Sequence, residues 1–191
     1  MTVTTAKWSI ESYHQMIRAG ILDDRAVELL NGEIIEMPPE GTFHSSLSTG
    51  GREYLSQMLG NRALVREGHP ITILLSNSEP EPDLAIVQRL QENVENEYWD
   101  HHPYPENVYW LVEFSDSSLK KDLDAKAKTY AAAGIVEYWV VNLKDIELVV
   151  MRDPVDGEYR SQITFLSGTV TPLAFPDIAI QVSRLLRKRS Q

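Results

Sequence analysis

Residues 108–142 constrain the fold more than any other stretch of this chain. Val108-Tyr109-Trp110-Leu111-Val112-Glu113 is an apolar run of strand length that ends in a carboxylate. Ser115-Asp116-Ser117-Ser118 reads as a small polar turn. A helix then carries Asp122, Lys126 and Tyr130 at four-residue spacing, and a second apolar strand follows at Glu137-Tyr138-Trp139-Val140-Val141. Helical and strand-like stretches alternate along the rest of the chain, which favours an α/β or α+β class.

Upstream, Ser9 is placed to cap a helix from Ile10 to about Ala19, with Tyr13, Met16 and Ile17 on one face. Ala26–Leu30 and Glu33–Met37 flank Asn31-Gly32, a pair that accepts the positive φ angles of a type I′ turn, so a β-hairpin is expected. After the Pro38-Pro39 break a helix runs from about His44 to Leu59, although Gly50-Gly51 inside it weakens helical propensity. Arg62–Glu67, Ile71–Leu75 and Asp83–Val87 read as strands. Gln88–Asn107 is a long polar loop. Ile146–Arg152 and Glu158–Leu166 pair across the turn 153–157, and Ala174–Val182 closes the domain.

The 191 residues suit one domain, 1–191, with residues 1–40 as an N-terminal helix and hairpin extension and residues 183–191 as a short basic tail. With no cysteine, disulfides, thiolate metal sites and a catalytic cysteine are excluded. No apolar run is long enough to span a membrane and the N-terminus lacks signal-peptide character, so a cytoplasmic protein is expected. A net charge of −10 counts against a dedicated duplex-binding module, which needs a basic face. It is compatible with an enzyme that meets phosphate through divalent cations.

Asp83 and Glu113 each stand at one end of an expected strand. If the strands are neighbours, the two carboxylates can converge on one Mg²⁺ or Mn²⁺, a hard cation that takes oxygen ligands and bridges to phosphate. Two exposed strand-end acids are the plainer alternative. Asp122, Lys126 and Tyr130 share one helical stripe: either an exposed ion pair worth about 0.2–0.5 kcal/mol, or a lysine aimed at the metal site. Lys120, Lys121 and Lys128 compete for that role. By strand alternation Glu28 points away from Val27 and Leu29, and the sequence favours solvent for it. The five histidines show no zinc spacing; His44, near a helix start, stands out among them. Ser115, Ser117 and Ser118 lack a nucleophile elbow and suit helix capping.

Five segments in order carry a resemblance: Val27–Ile34, Glu81-Pro82-Asp83-Leu84, Leu111–Ser118, Asp122 with Lys126 and Tyr130, and Gly134–Val141. Together they resemble the Uma-two family of endonucleases within the PD-(D/E)XK restriction-endonuclease-like superfamily. The resemblance implies a central mixed β-sheet flanked by helices. It implies Asp83 and Glu113 as metal ligands, a further carboxylate from Glu28, and hydrolysis of nucleic-acid phosphodiester bonds, DNA being the expected substrate. The superfamily lysine two residues after the second acid is Ser115 here, and the family pattern instead supplies Lys126 from the following helix. Superfamily nucleases often pair, so a homodimer is a further expectation. The alternatives are a nuclease fold that binds or assembles without turnover, which the acidic charge favours, and a small-molecule metallohydrolase.

Overall fold

The computed structural model describes residues 4–90 and 97–186. Helix α1 (Ile10–Arg18) starts where Ser9 Oγ accepts from the Ser12 amide. Strands β1 (Val27–Leu30) and β2 (Glu33–Glu36) form the expected antiparallel hairpin, with Asn31 and Gly32 at φ 53° and 73°. Helix α2 (Thr42–Leu59) follows. A six-stranded sheet then takes up β3 (Leu64–Glu67), β4 (Leu84–Val87), β5 (Val108–Ser115), β6 (Glu137–Asn142), β7 (Glu147–Val155) and β8 (Glu158–Phe165), in sequential spatial order. Only β5 and β6 run parallel, because only they are joined by a helical crossover; the other neighbours are antiparallel. The short pair β9 (Thr169–Val170) and β10 (Ile180–Gln181), and helix α5 (Val182–Leu185), complete the described chain.

Strand alternation divides the core into two layers. Trp110, Val112, Phe114, Trp139 and Val141 pack against α2 and α5, while Leu111, Tyr138 and Val140 pack with Tyr130 and Ile135 on the opposite face. Glu113 shares parity with Leu111 and therefore lies on the second face, beneath the crossover helix. That helix is three pieces: α3 (Leu119–Lys121), a π-helical turn Asp122–Lys126, and α4 (Ala127–Ala132).

Several sequence expectations need correction. Ile71–Leu75 is not a strand: an isolated bridge joins Ile73 to Ser78, and Leu74–Ser76 is a 3₁₀ turn with Leu74 and Leu75 exposed. Of the α1 face, Tyr13 is buried but Ile17 is exposed, because the hairpin covers the helix only on the Tyr13 side. Glu113 is not a strand terminus, since β5 continues through Ser115. Glu28 does not face solvent. All four residues of β1 are buried, the second face being closed by the crossover helix. The end of the basic tail (187–191) and loop residues 91–96 lie outside the described residues.

Candidate active site

Pro82 and Asp83 lead directly into β4, and Glu113 lies in the adjacent β5, where Leu84 pairs with Val112. This register sets the two acids side by side. The Asp83 amide donates to Glu113 Oε2 at 3.4 Å, and the Phe114 amide donates to Asp83 Oδ2 at 2.6 Å. Lys126 comes from the facing crossover. Its ammonium donates to Glu113 Oε1 at 2.8 Å and to the Glu81 carbonyl at 3.3 Å, and stands 3.2 Å from Glu28 Oε2. Tyr130, one turn on, donates to the same Glu113 oxygen at 3.2 Å. Asp122, Lys126 and Tyr130 are all buried, so this stripe is not an exposed ion pair. The π turn supplies one extra residue per turn at the point where Asp122 and Lys126 enter the site, a distortion that recurs at functional positions.

Glu28 is fully buried and both its oxygens are taken. Oε1 accepts from Lys121 at 2.8 Å, while Oε2 accepts from the Glu81 amide at 3.2 Å and faces Lys126. It therefore joins the cluster through the lysines and does not line the cavity. Lys128, by contrast, is exposed and pairs with Asp124.

Three site residues were not assigned from the sequence. His44, on the first turn of α2, places Nε2 3.0 Å from Asp83 Oδ2 and Nδ1 3.7 Å from Glu40. Burial works against its charge, but the Asp83 hydrogen bond and the Asp83 and Glu40 carboxylates outweigh that and raise its pKa to about 9. Asp122 is 2% exposed; Oδ2 accepts from Ser115 Oγ at 2.7 Å, and Oδ1 has no hydrogen-bond partner among the described residues. Ser115 thus holds a carboxylate, and Ser118, at the helix start, makes no side-chain cap. Glu81 is the third: burial and then Glu28 raise its pKa. The i,i+4 spacing of Asp122 to Lys126 was a usable signal. None pointed to His44 beside Asp83, because α2 approaches β4 only through tertiary packing.

A cavity of about 480 Å³ opens above these groups. Its walls include Asp83, Glu113, Asp122, Lys126, His44 and Glu40, with Met37, Pro38, Pro39, Phe43 and Leu143 as apolar lining. Burial pushes Glu113 upward to about 8, with Lys126 opposing and Asp122 and Asp83 adding to the rise. The Lys126 ammonium, despite its burial, is held well above its usual pKa by Glu113. Excess carboxylate at a recessed point, with Asp122 Oδ1 buried and unpaired, is the donor chemistry of a hard divalent cation. Glu40, His44 and Asp83 also bring one ligand atom each within 4.8 Å of one another. This trio shares Asp83 with the carboxylates on the cavity floor.

A six-stranded mixed sheet flanked by helices, its one parallel pair joined by a helical crossover, is the α/β fold that frames this site. The same fold is found in a crystal structure of a putative nuclease belonging to DUF820 from Anabaena variabilis ATCC 29413. The similarity has a TM-score of 0.64 at 16% identity and covers 85% of this chain and 90% of that one. No curated protein matches the sequence. The chain belongs to the Uma2 family, described as "Putative restriction endonuclease", whose model matches residues 10–183.

Proposed function

We propose that the protein is a divalent-cation-dependent endonuclease that hydrolyses nucleic-acid phosphodiester bonds. The observation that carries this reading is the meeting of Asp83, Glu113 and Lys126, distant in sequence, within hydrogen-bonding reach at the floor of one cavity. Asp83 and Glu113 would hold Mg²⁺ or Mn²⁺. A bound cation of that kind supplies charge stabilisation at the phosphoryl oxygens and a more acidic water.

The protein's own groups divide the remaining work. Tyr130 and Lys126 both donate to Glu113 Oε1, which orients the carboxylate and leaves Oε2 on the Asp83 side. The Lys126 ammonium sits where it can offset charge developing on a phosphate seated over the two acids. Glu28 serves by holding Lys126 and Lys121 in place, and direct cation contact is not needed for that role.

The test is cleavage of single-stranded, duplex and branched oligonucleotides with and without Mg²⁺ or Mn²⁺. Asp83→Asn and Glu113→Gln should each lower the rate about a hundredfold or more while near-UV circular dichroism stays unchanged. Equal cleavage by folded variants would reject the assignment. Calorimetric cation binding with no cleavage of any substrate would favour the second reading, a nuclease fold used for binding, to which the net charge of −10 lends support.

A further inference from the structure

The cavity also bears on which nucleic acid the site accepts, an inference that rests on the nuclease reading above. A protein that grips duplex lays Lys and Arg along several phosphates, and its affinity scales with the number neutralised. Here the lining contains two lysines among the described residues, and both are spent. Lys126 is 2% exposed and lies between Glu113 and Glu28, and Lys121 is paired with Glu28. The lining adds Glu40, Glu81, Asp116 and Asp122, and its other cation among the described residues, His44, is held by Asp83 and Glu40, so acid outweighs base where a second phosphate chain would lie.

Access is restricted too. Glu113 is only 4% exposed at the cavity floor. A scissile phosphate must therefore enter the cavity together with its own nucleotide. The volume of about 480 Å³ lies within the range, roughly 300–1,000 Å³, that encloses one small-molecule-sized ligand. The lining also has an apolar wall, formed by Pro38, Pro39, Phe43 and Leu143, of which Phe43 and Leu143 rest on the core beneath. Such a wall offers a base face an apolar contact that is indifferent to base identity, and stacking of this kind is how single strands are held. A base inside a duplex has both faces covered by its neighbours and cannot present itself there.

We infer that the site takes an unpaired nucleotide of a single-stranded or locally opened nucleic acid, its base against the Pro38–Pro39–Phe43–Leu143 wall and its phosphate over Asp83 and Glu113. Uninterrupted duplex is a poor substrate.

The experiment compares one labelled sequence as single strand, blunt duplex and duplex with a central unpaired bulge, in deoxy and ribo forms, with Mn²⁺. Binding is measured in parallel with Ca²⁺ in place of Mn²⁺. Single-stranded and bulged forms should be cut at least tenfold faster than duplex. Phe43→Ala should raise KM for the single strand about tenfold or more, while Phe43→Tyr, which keeps the ring, should restore it. Duplex cut as fast as single strand, or a Phe43→Ala effect equal on both, overturns the inference and leaves the nuclease reading intact. Preferential binding of single strand without cleavage upholds the ligand class and rejects catalysis. Neither binding nor cleavage of any form rejects both.

Discussion

At the scale of single residues, the site is governed by where charge is buried and what neutralises it. Lys126 is shared between two carboxylates that are themselves almost out of water. Removing the ammonium takes the counter-ion from Glu113, while Glu28 keeps Lys121 at 2.8 Å; stranding a charge that cannot reach solvent costs about 3–5 kcal/mol. Lys126→Met should therefore lower stability by that order in urea unfolding of the metal-free protein. Glu113→Gln combined with Lys126→Met should recover part of the loss at a pH above about 8, where the Glu113 carboxyl, raised by burial, is ionised. A double variant no more stable than Lys126→Met would show that Glu113 does not depend on the lysine. The same logic explains why Glu28 was misread. In a four-residue strand, alternation gives its side chain one face, and the sequence offers nothing to say that this face is closed by Lys121 and Lys126 from about a hundred residues away. Asp83, Glu113 and Lys126 were legible because each sits beside an apolar run or within a helical stripe. His44 was not, because its role is set by a contact between α2 and the loop entering β4.

Among the elements, α2 is the part whose placement the site needs most. It carries His44 at its start, and about two turns later Gly51 lies directly over Phe114 of β5. A Cβ on Gly51 would stand 2.8 Å from Phe114 Cζ and 3.5 Å from Leu84 Cδ1. Phe114 is 1% exposed, so its ring has nowhere to move. On propensity alone, Gly→Ala in a helix gains about 1 kcal/mol. Here overpacking, about 1–3 kcal/mol, opposes it and should win. Gly51→Ala is expected to lower the thermal midpoint by a few degrees, whereas Gly50→Ala, with open space around its Cβ, should raise it. A rise for both would mean that α2 does not rest on the sheet through Gly51. This contact also shows why the glycine pair looked like a weakness in the helix: local propensity records the entropic cost of glycine and is blind to the close approach that requires it. Ile71–Leu75 failed in the opposite sense. Its apolar residues suit a strand, but only Ile71 and Ile73 find the core, and the segment turns back on itself at Asn77, φ 47°. The strand–helix–strand unit at 108–142 was legible because its apolar runs are buried on both faces, whereas the π turn inside its helix left no trace in the spacing of residues.

For the whole molecule, the balance of charge couples the site to stability. The chain carries ten more negative than positive formal charges, and no described helix is long and apolar enough to cross a membrane. In the metal-free protein the His44 imidazolium is one of the few cations facing the acidic floor, and Asp83 and Glu40 outweigh burial to lift its pKa from 6.5 to about 9. A group whose pKa is higher in the folded than in the unfolded state holds extra proton between the two values. Its stabilisation is therefore complete below about pH 6.5 and disappears as pH rises to about 9. The thermal midpoint of the metal-free protein should fall over that window relative to a His44→Gln variant, and the two curves should converge above it. A divalent cation on Asp83 competes with the imidazolium, so proton and metal are linked. The rise in midpoint produced by Mn²⁺ at fixed ionic strength should grow from pH 6.5 to pH 9 in the native chain and grow less in His44→Gln. A Mn²⁺ increment with the same pH dependence in both proteins would place the cation away from Asp83 and remove the proposed role of that carboxylate.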